Sequence, residues 1–201
     1  AEGVSYVVVD DSNGAMADMA AAFYDNPSHE LHLVGVTGTN GKTTVATLLC
    51  DLFGALGYRA GLISTVVYRV GGREAGCDYC FMEVSSQSIV QERIRGLKFE
   101  GAVFTNITHD HLDYHKTFAE YIKAKKRLFD SLPRDAFALV NADDRNGEVM
   151  VQNTRAEVRR YSLRTAADFN CKITEMLFDG MLLRIDGSEV WVNFLGRLNA
   201  C

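Results

Sequence analysis

The stretch Leu33-Val34-Gly35-Val36-Thr37-Gly38-Thr39-Asn40-Gly41-Lys42-Thr43-Thr44 decides how this chain is read. It opens as a short apolar run of strand character. It then breaks into a loop with glycines at 38 and 41, and passes into a helix-forming run over residues 42–56. A strand, a loop of exposed backbone N–H groups and a helix N-terminus form a cradle for a chain of phosphates, because all three favour negative charge at one point. Lys42 adds a mobile positive charge, and Thr43 adds a hydroxyl suited to Mg²⁺. The general phosphate-loop pattern wants a glycine at position 36, where Val36 stands. A Gly-Lys-Thr triplet alone means little; set between a strand and a helix, it predicts nucleotide phosphate binding rather than an ordinary turn.

The 201 residues are enough for one α/β domain with a substantial core. Apolar residues make up 47% and charged ones 23%, and the net charge is −5, which argues against a general nucleic-acid or membrane-surface role. No apolar run approaches a membrane span, and no signal peptide is evident. Five cysteines are irregularly spaced, and Cys77-x-x-Cys80 has no second pair to complete a zinc ribbon. Structural thiols and a cytoplasmic location are expected.

Working outward, the apolar run 6–9 precedes a helix capped by Ser12 or Asn13 and reaching about Tyr24, with Met16, Met19, Ala20 and Phe23 on one face. Residues 59–70 read as one strand and 79–84 as another, buried one. Only residues 71–78 separate them, and a parallel crossover needs about a dozen residues or more. Either the two strands pair antiparallel or residues are missing from the sequence between Gly71 and Cys77; the second is the expectation. A helix over 88–95, a strand over 102–105, a polar loop over 106–115, a helix from Thr117 to about residue 129 or 132, and a strand over 137–141 follow. From Glu157 the pattern changes to short alternating strands (159–161, 171–177, 181–185, 190–194), with turns at Asp179-Gly180 and Asp186-Gly187. The predicted fold is α/β: a P-loop-type, mostly parallel sheet flanked by helices, with a small antiparallel β appendix at its C-terminal end.

In an open parallel sheet, the loops at the strand C-termini share one edge, where ligands bind. The phosphate loop, Glu83-Val84-Ser85-Ser86, the loop 106–115 and the segment 141–144 each follow a predicted strand, so they should converge. Glu83 is the only charge in the run 79–84. Beside a phosphate chain its carboxylate is placed to hold Mg²⁺, whereas on its own it would be a solvated strand end. His109-Asp110-His111-Leu112-Asp113-Tyr114-His115 concentrates three imidazoles and two carboxylates, without saying which of them acts. At 100° per residue, Phe118, Tyr121, Ile122 and Phe129 share one helical face, and Lys125 lies in its middle. A lysine there is costly unless paired or modified, and burial frees its amine as a nucleophile; the alternative is a side chain whose tip escapes to water.

Thr37–Thr44, Met82-Glu83-Val84-Ser85-Ser86, Phe104-Thr105-Asn106, Asp110-His111-Leu112-Asp113-Tyr114-His115 and Asn141-Ala142-Asp143-Asp144 occur in that order. In combination they closely resemble the Mur ligases, and within them the MurE type, whose phosphate loop has this same short form. The resemblance implies an ATP-dependent ligase of peptidoglycan precursor synthesis. Such an enzyme adds a third amino acid, diaminopimelate or lysine, to UDP-MurNAc-L-Ala-D-Glu through an acyl phosphate. It further implies that Gly38, Thr39, Asn40, Gly41, Lys42, Thr43 and Thr44 bind the ATP phosphates, and that Thr43 and Glu83 ligate one Mg²⁺ while His111 helps hold a second. Lys125 matches a lysine carried as a carbamate that binds or orients Mg²⁺. Lys42, Lys125 and His111 are the implied catalytic residues. Ser85, Gln91 and Arg93 match contacts to the UDP-muramoyl-dipeptide, and Asn141 and Asp144 lie in the segment that meets the nucleoside.

The sequence departs from that family in places. A longer segment with a Thr-Thr-Pro motif is expected where residues 72–76 stand. Residues 1–30 resemble only the end of an N-terminal UDP-binding domain and its linker. Residues 31–201 resemble a central ATP-binding domain, without the C-terminal domain that selects the amino acid. Gly196-Arg197-Leu198-Asn199-Ala200-Cys201 carries the family's exit motif with leucine for its aromatic residue and cysteine for tyrosine. The alternatives are another P-loop NTPase or kinase, a folylpolyglutamate-synthase-like ligase, against which Ser85-Ser86 and Gln91-x-Arg93 argue, and a catalytically silent ATP-binding fragment. Oligomeric state is not legible.

Overall fold

The computed structural model describes residue 3 and residues 6–65, 67–69, 76–108 and 112–193. Its centre is β1 (His32–Thr37), whose residues after His32 are all buried. Parallel strands flank it on both sides: β4 (Tyr79–Glu83) on one side, with β2 (Ala60–Ile63) beyond it, and β5 (Gly101–Phe104) on the other, with β6 (Phe137–Asn141) beyond it. Their side chains alternate between two cores. On one face Val34, Val36, Leu62 and Phe81 pack with Ala46 and Cys50 of α2 (Lys42–Ala55). On the other face Leu33, Cys80, Ala102 and Phe104 pack with Tyr121, Leu128 and Phe129 of α5 (Phe118–Asp130). Each large apolar side chain so buried contributes about 1.5–3 kcal/mol. Thr117 caps α5 by accepting a hydrogen bond from Glu120 N at 3.2 Å. Among the described residues no helix is long and apolar enough to cross a membrane.

Several expectations are corrected. The run 6–9 forms no strand and is exposed. The following helix, α1 (Ser12–Phe23), is capped by Asp11 rather than Ser12 or Asn13, because the Asp11 carboxylate reaches both Asn13 N and Gly14 N. The single strand expected over 59–70 is a hairpin. After β2 the chain turns at Ser64, whose N–H and hydroxyl both bond to Val67 O, and returns antiparallel as β3 (Tyr68–Arg69) on the sheet edge. This hairpin removes the crossover difficulty. β3 brings the chain back to the end of the sheet where β4 begins, so no helix is needed to bring β4 parallel to β2. Residues 70–75 lie outside the described residues.

The helix expected over 88–95 is α3 (Ser86–Val90), which starts two residues earlier because the Ser85 hydroxyl caps it by accepting from Ser88 N. It stops before Glu92, which takes a φ of 56°. Inside the polar loop lies a short helix, α4 (Leu112–His115). After β6 comes α6 (Gly147–Met150). β7 (Glu157–Ser162) continues the parallel sheet beside β6 instead of opening the appendix, since strand alternation alone does not reveal direction. The antiparallel part is β8 (Phe169–Leu177), β9 (Gly180–Ile185) and β10 (Ser188–Val192). Asp186 and Gly187, with φ of 46° and 90°, close the β9–β10 hairpin as predicted.

Candidate nucleotide site

The loop after β1 is held from three sides. Gly41 begins α2 with a φ of 83°, which a side-chain-bearing residue rarely adopts. Asn106, just past β5, brackets Asn40: its Oδ1 accepts from Asn40 N at 3.0 Å, and its Nδ2 donates to Asn40 O at 3.1 Å. The Thr105 hydroxyl donates to the same carbonyl at 2.7 Å. Thr39 N donates to Asn106 O at 2.7 Å, and the Thr39 hydroxyl accepts from Thr108 N at 3.0 Å and lies 3.2 Å from the Tyr121 hydroxyl. β1, the post-β5 loop and α5 thus fix the loop before any ligand arrives.

At the head of α2, Thr43 Oγ1 donates to Glu83 Oε2 at 2.8 Å, and Lys42 Nζ stands 3.8 Å from Glu83 Oε1 while donating to Thr39 O at 2.9 Å. The Glu83 side chain is 7% exposed. Thr65, just past β2, also donates through its hydroxyl to Glu83 Oε2, at 3.1 Å. Two hydroxyls and one ammonium therefore converge on the Glu83 carboxylate beside the phosphate cradle. The structure brings Thr43 and Glu83 together, and Thr65, which carried no sequence signal, joins them. Thr44 is exposed on the first turn of α2. Lys125 is 1% exposed and does not reach water: its amine donates to Gly38 O at 2.8 Å and stands 4.7 Å from the Tyr121 ring centre. His111, like the segment 194–201, lies outside the described residues.

On the neighbouring face Ser86 Oγ lies 2.8 Å from His115 Nε2, both groups buried, and the His115 ring lies over Tyr121 at 5.2 Å. This joins the start of α3 to α5. Gln91 Nε2 donates to the Tyr114 hydroxyl at 3.4 Å, whereas Arg93 is exposed. Ser85 is taken up by its capping role.

Residues 36–201 match the Mur ligase middle domain. This chain belongs to the Mur ligase family. The chain is 52% identical over 221 residues to a UDP-N-acetylmuramoyl-L-alanyl-D-glutamate--2,6-diaminopimelate ligase of Phocaeicola vulgatus, covering 99% of this chain and 46% of that protein. A ligase of the same name from Chlorobaculum tepidum is 42% identical over 220 residues, covering 98% of this chain and 43% of the relative. A solved ligase structure of that name superposes at a TM-score of 0.80 with 26% identity, over 98% of this chain and 47% of that one. The MurF ligase of Thermotoga maritima, solved with ADP, shares the fold at a TM-score of 0.74 and 16% identity, over 99% of this chain and 49% of that one. The chain spans about half the length of the relatives it matches. With 221 aligned positions against 201 residues, at least 20 positions of the Phocaeicola alignment have no residue of this chain opposite them.

In this Mur ligase domain a cleft of about 620 Å³ opens beside Asn106, between the sheet edge and the appendix. Asn106, Asn141, Asp143 and Asp144 line one wall, and residues of β8 line the other. The polar side chains of the first wall already have protein partners. Asn141 donates to Thr105 O at 2.8 Å and accepts from Asp143 N at 2.9 Å. Asp144 accepts from Ile107 N at 2.7 Å and from Asn146 N at 2.8 Å. Asp143 accepts from the Ser162 hydroxyl and from Leu163 N, both at 2.7 Å.

Proposed function

We propose that this chain is the ATP-binding part of a ligase that joins diaminopimelate to UDP-N-acetylmuramoyl-L-alanyl-D-glutamate. The observation that carries the reading is the convergence of Thr43, Glu83 and Lys42 at the head of α2, within a loop already clamped by Asn106. The names of the relatives favour diaminopimelate over lysine as the incoming amino acid. Residues 1–30 end a UDP-binding domain and its linker, and residues 31–201 form the central domain. At least 20 aligned positions of the Phocaeicola relative lack a counterpart in this chain, which leaves room for residues missing between Gly71 and Cys77. Dependence on ATP and a UDP-linked substrate supports a cytoplasmic reaction.

The donor set suits Mg²⁺. The hydroxyl of Thr43 and the carboxylate of Glu83 are hard oxygen ligands 2.8 Å apart, and Mg²⁺ commonly takes one or two protein ligands with phosphate oxygens and waters completing the shell. Bound there, Mg²⁺ would neutralise phosphate charge. The chain's own residues do the positioning. The N–H groups of Thr39 and Asn40 are held by Asn106, so the backbone N–H groups left for the phosphates are those of Gly38, Gly41 and the first turn of α2, and Lys42 offers its ammonium to the terminal phosphate. The γ-phosphoryl group passes to the D-glutamate carboxylate with release of ADP, giving an acyl phosphate. The diaminopimelate amine attacks the acyl carbon, phosphate leaves, and the amine's proton goes to solvent. This chemistry rests mainly on placement and charge compensation. Lys125, as a carbamate formed when its neutral amine adds CO₂ and releases a proton, would turn a buried cation into an anion that could help hold Mg²⁺. His111 would help hold a second Mg²⁺, and Ser85, Gln91 and Arg93 would contact the UDP-dipeptide.

The test uses the full-length protein with ATP, Mg²⁺ and the UDP-dipeptide, offered diaminopimelate or lysine, with ADP release and product mass followed together. ADP release that requires both the dipeptide and diaminopimelate, with the tripeptide mass appearing, supports the reading. ATP turnover independent of the dipeptide would instead identify an NTPase.

A further inference from the structure

The turn that follows α3 ends the helix in an unusual way. Glu92 N donates to Ile89 O at 3.2 Å and Arg93 N donates to Ser88 O at 2.9 Å, the pair of bonds that closes a helix when glycine stands at the left-handed position. Here that position is Glu92, with a φ of 56°. A side chain makes this conformation strained, and such strain persists where the surroundings enforce it, often at functional sites. The turn is completed by Arg95 N donating to Glu92 O at 3.1 Å and by Gly96 at a φ of 79°.

Two ion pairs hold the turn from opposite sides. The Glu92 carboxylate, on a side chain 25% exposed, pairs with the Arg127 guanidinium of α5. On the other side Arg95 pairs with Asp18 of α1 at 2.9 Å and stands 3.7 Å from Asp11, the cap of that helix. Little else seats α1 on the turn. Gly14 is its one buried residue, and a Cβ there would lie 2.4 Å from Arg95 Nη1. A Cβ at Gly96 would lie 3.1 Å from Ala21 Cβ, so helix and turn approach closely, while Met16, Met19 and Phe23 remain exposed. Arg95 therefore fastens α1 by charge rather than by apolar burial.

We propose that Glu92 and Arg95 are positioning residues of the ligase reaction, which clamp the turn 91–96 between α5 and α1 and so set where the UDP-linked acceptor stands relative to the phosphate loop. The proposal rests on the reading of Gln91 and Arg93 as contacts to the UDP-dipeptide. Those two residues flank Glu92, so its backbone conformation decides where each side chain goes: Gln91 turns inward to the Tyr114 hydroxyl and Arg93 is exposed. α5 also carries Lys125, whose amine holds Gly38 O. One helix thus anchors both the turn and the phosphate loop. Exposed ion pairs add little to stability. A clamp that aims a reacting carboxylate matters for another reason, since small misplacements are costly in group transfer.

The test measures kcat and KM for the UDP-dipeptide and the Kd for ATP in the full-length protein with Mg²⁺ and diaminopimelate. E92G removes the carboxylate but suits the left-handed backbone, so it should melt no lower than the wild type. Its KM for the UDP-dipeptide should nevertheless rise about fivefold, the upper range for an exposed ion pair, with ATP affinity unchanged. R127A should raise KM by the same factor, and the double variant E92G/R127A should be no worse than either single one. R95Q should also raise KM for the dipeptide and spare ATP. Wild-type KM in both E92G and R95Q overturns the proposal, as does an equal loss of ATP affinity, which would make the turn a support of the whole fold. Additive losses in E92G/R127A overturn the clamp on α5. If R93A and Q91A leave KM for the dipeptide unchanged, the underlying reading of those two contacts fails instead.

Discussion

Lys125 Nζ donates a 2.8 Å hydrogen bond to the carbonyl of Gly38, 87 residues earlier in the chain. The contact joins the middle of α5 to the loop that cradles phosphate, and it is made by a side chain only 1% exposed. A buried amine aimed at this loop bears on ligand chemistry as well as on packing, because any change in its charge is felt where the phosphates sit.

Replacing Lys125 with alanine should therefore separate chemistry from binding. The cavity is expected to cost about 2–4 kcal/mol of stability, as for other large-to-small core changes. Ligase turnover should fall on the order of 10²-fold, the scale for removing a preorganised charged group from a reacting centre, with the Kd for ATP moving far less. Partial recovery of turnover by a short carboxylic acid such as acetate would mark the missing group as an anion. Equal loss of turnover and ATP affinity without rescue would reduce Lys125 to a packing residue.

Glu83→Gln keeps the size of the side chain and its capacity to accept from Thr43 and Thr65, which lie 2.8 and 3.1 Å from Oε2, but removes the charge. The expected result is selective: a loss of about 10–100-fold in ATP affinity with Mg²⁺ present, from a contact of about 1.5–3 kcal/mol, and little change with EDTA. Titrating a fluorescent ATP analogue under both conditions measures the difference. If the loss were equal with and without metal, Glu83 would serve only to orient Lys42 and Thr43.

The parts of this site that the sequence disclosed are those whose signal is local. The strand-loop-helix run 33–55 and the apolar face around Lys125 are written in consecutive or periodic residues, and both stand where expected. The clamp on Asn40 was not legible, because Thr105 and Asn106 meet it only through the pairing of β5 with β1. Thr65 reaches Glu83 only because the run 59–70 folds back as a hairpin, and its apolar residues do not distinguish that from one long strand. Alternation over 157–162 shows a strand but not its direction, so the sequence alone assigns β7 to the appendix although it pairs parallel with β6. Asn141 and Asp144 line the cleft, and which of their atoms already have partners depends on loops distant in sequence.

Cys80 sets an alkaline limit. Burial is the main cause that pushes its thiol from the ordinary 9.0 up to about 12, with Cys77 and Cys50 adding to the shift. A thiol raised in the folded state favours folding fully below the unfolded value and loses that contribution as pH rises through the folded one. Stability should therefore decline between pH 9 and about 12 through this group, and the decline should be shallower in Cys80→Ala. Chemical denaturation across that range measures it. Iodoacetamide should also leave Cys80 unmodified in the native protein at pH 8 and label it after unfolding.

Gly38 shows why the loop takes its form. A Cβ built there would lie 2.0 Å from Thr105 Oγ1 and 3.0 Å from Asn106 O. Thr105 cannot move aside freely, since its hydroxyl donates to Asn40 O at 2.7 Å. Gly38→Ala should therefore cost about 1–3 kcal/mol, as overpacking does, and weaken ATP binding by displacing the loop from Asn106. Thr105→Ala alone should lose about 1 kcal/mol, the value of one hydrogen bond. The double variant should be less damaged than the sum of the two, by on the order of 1 kcal/mol, because the oxygen that blocks the new methyl is gone. Melting temperatures and ATP affinities of all four proteins complete the cycle. Additive losses would mean that glycine at 38 answers to backbone conformation rather than to Thr105, and coupling would assign the clash to that hydroxyl.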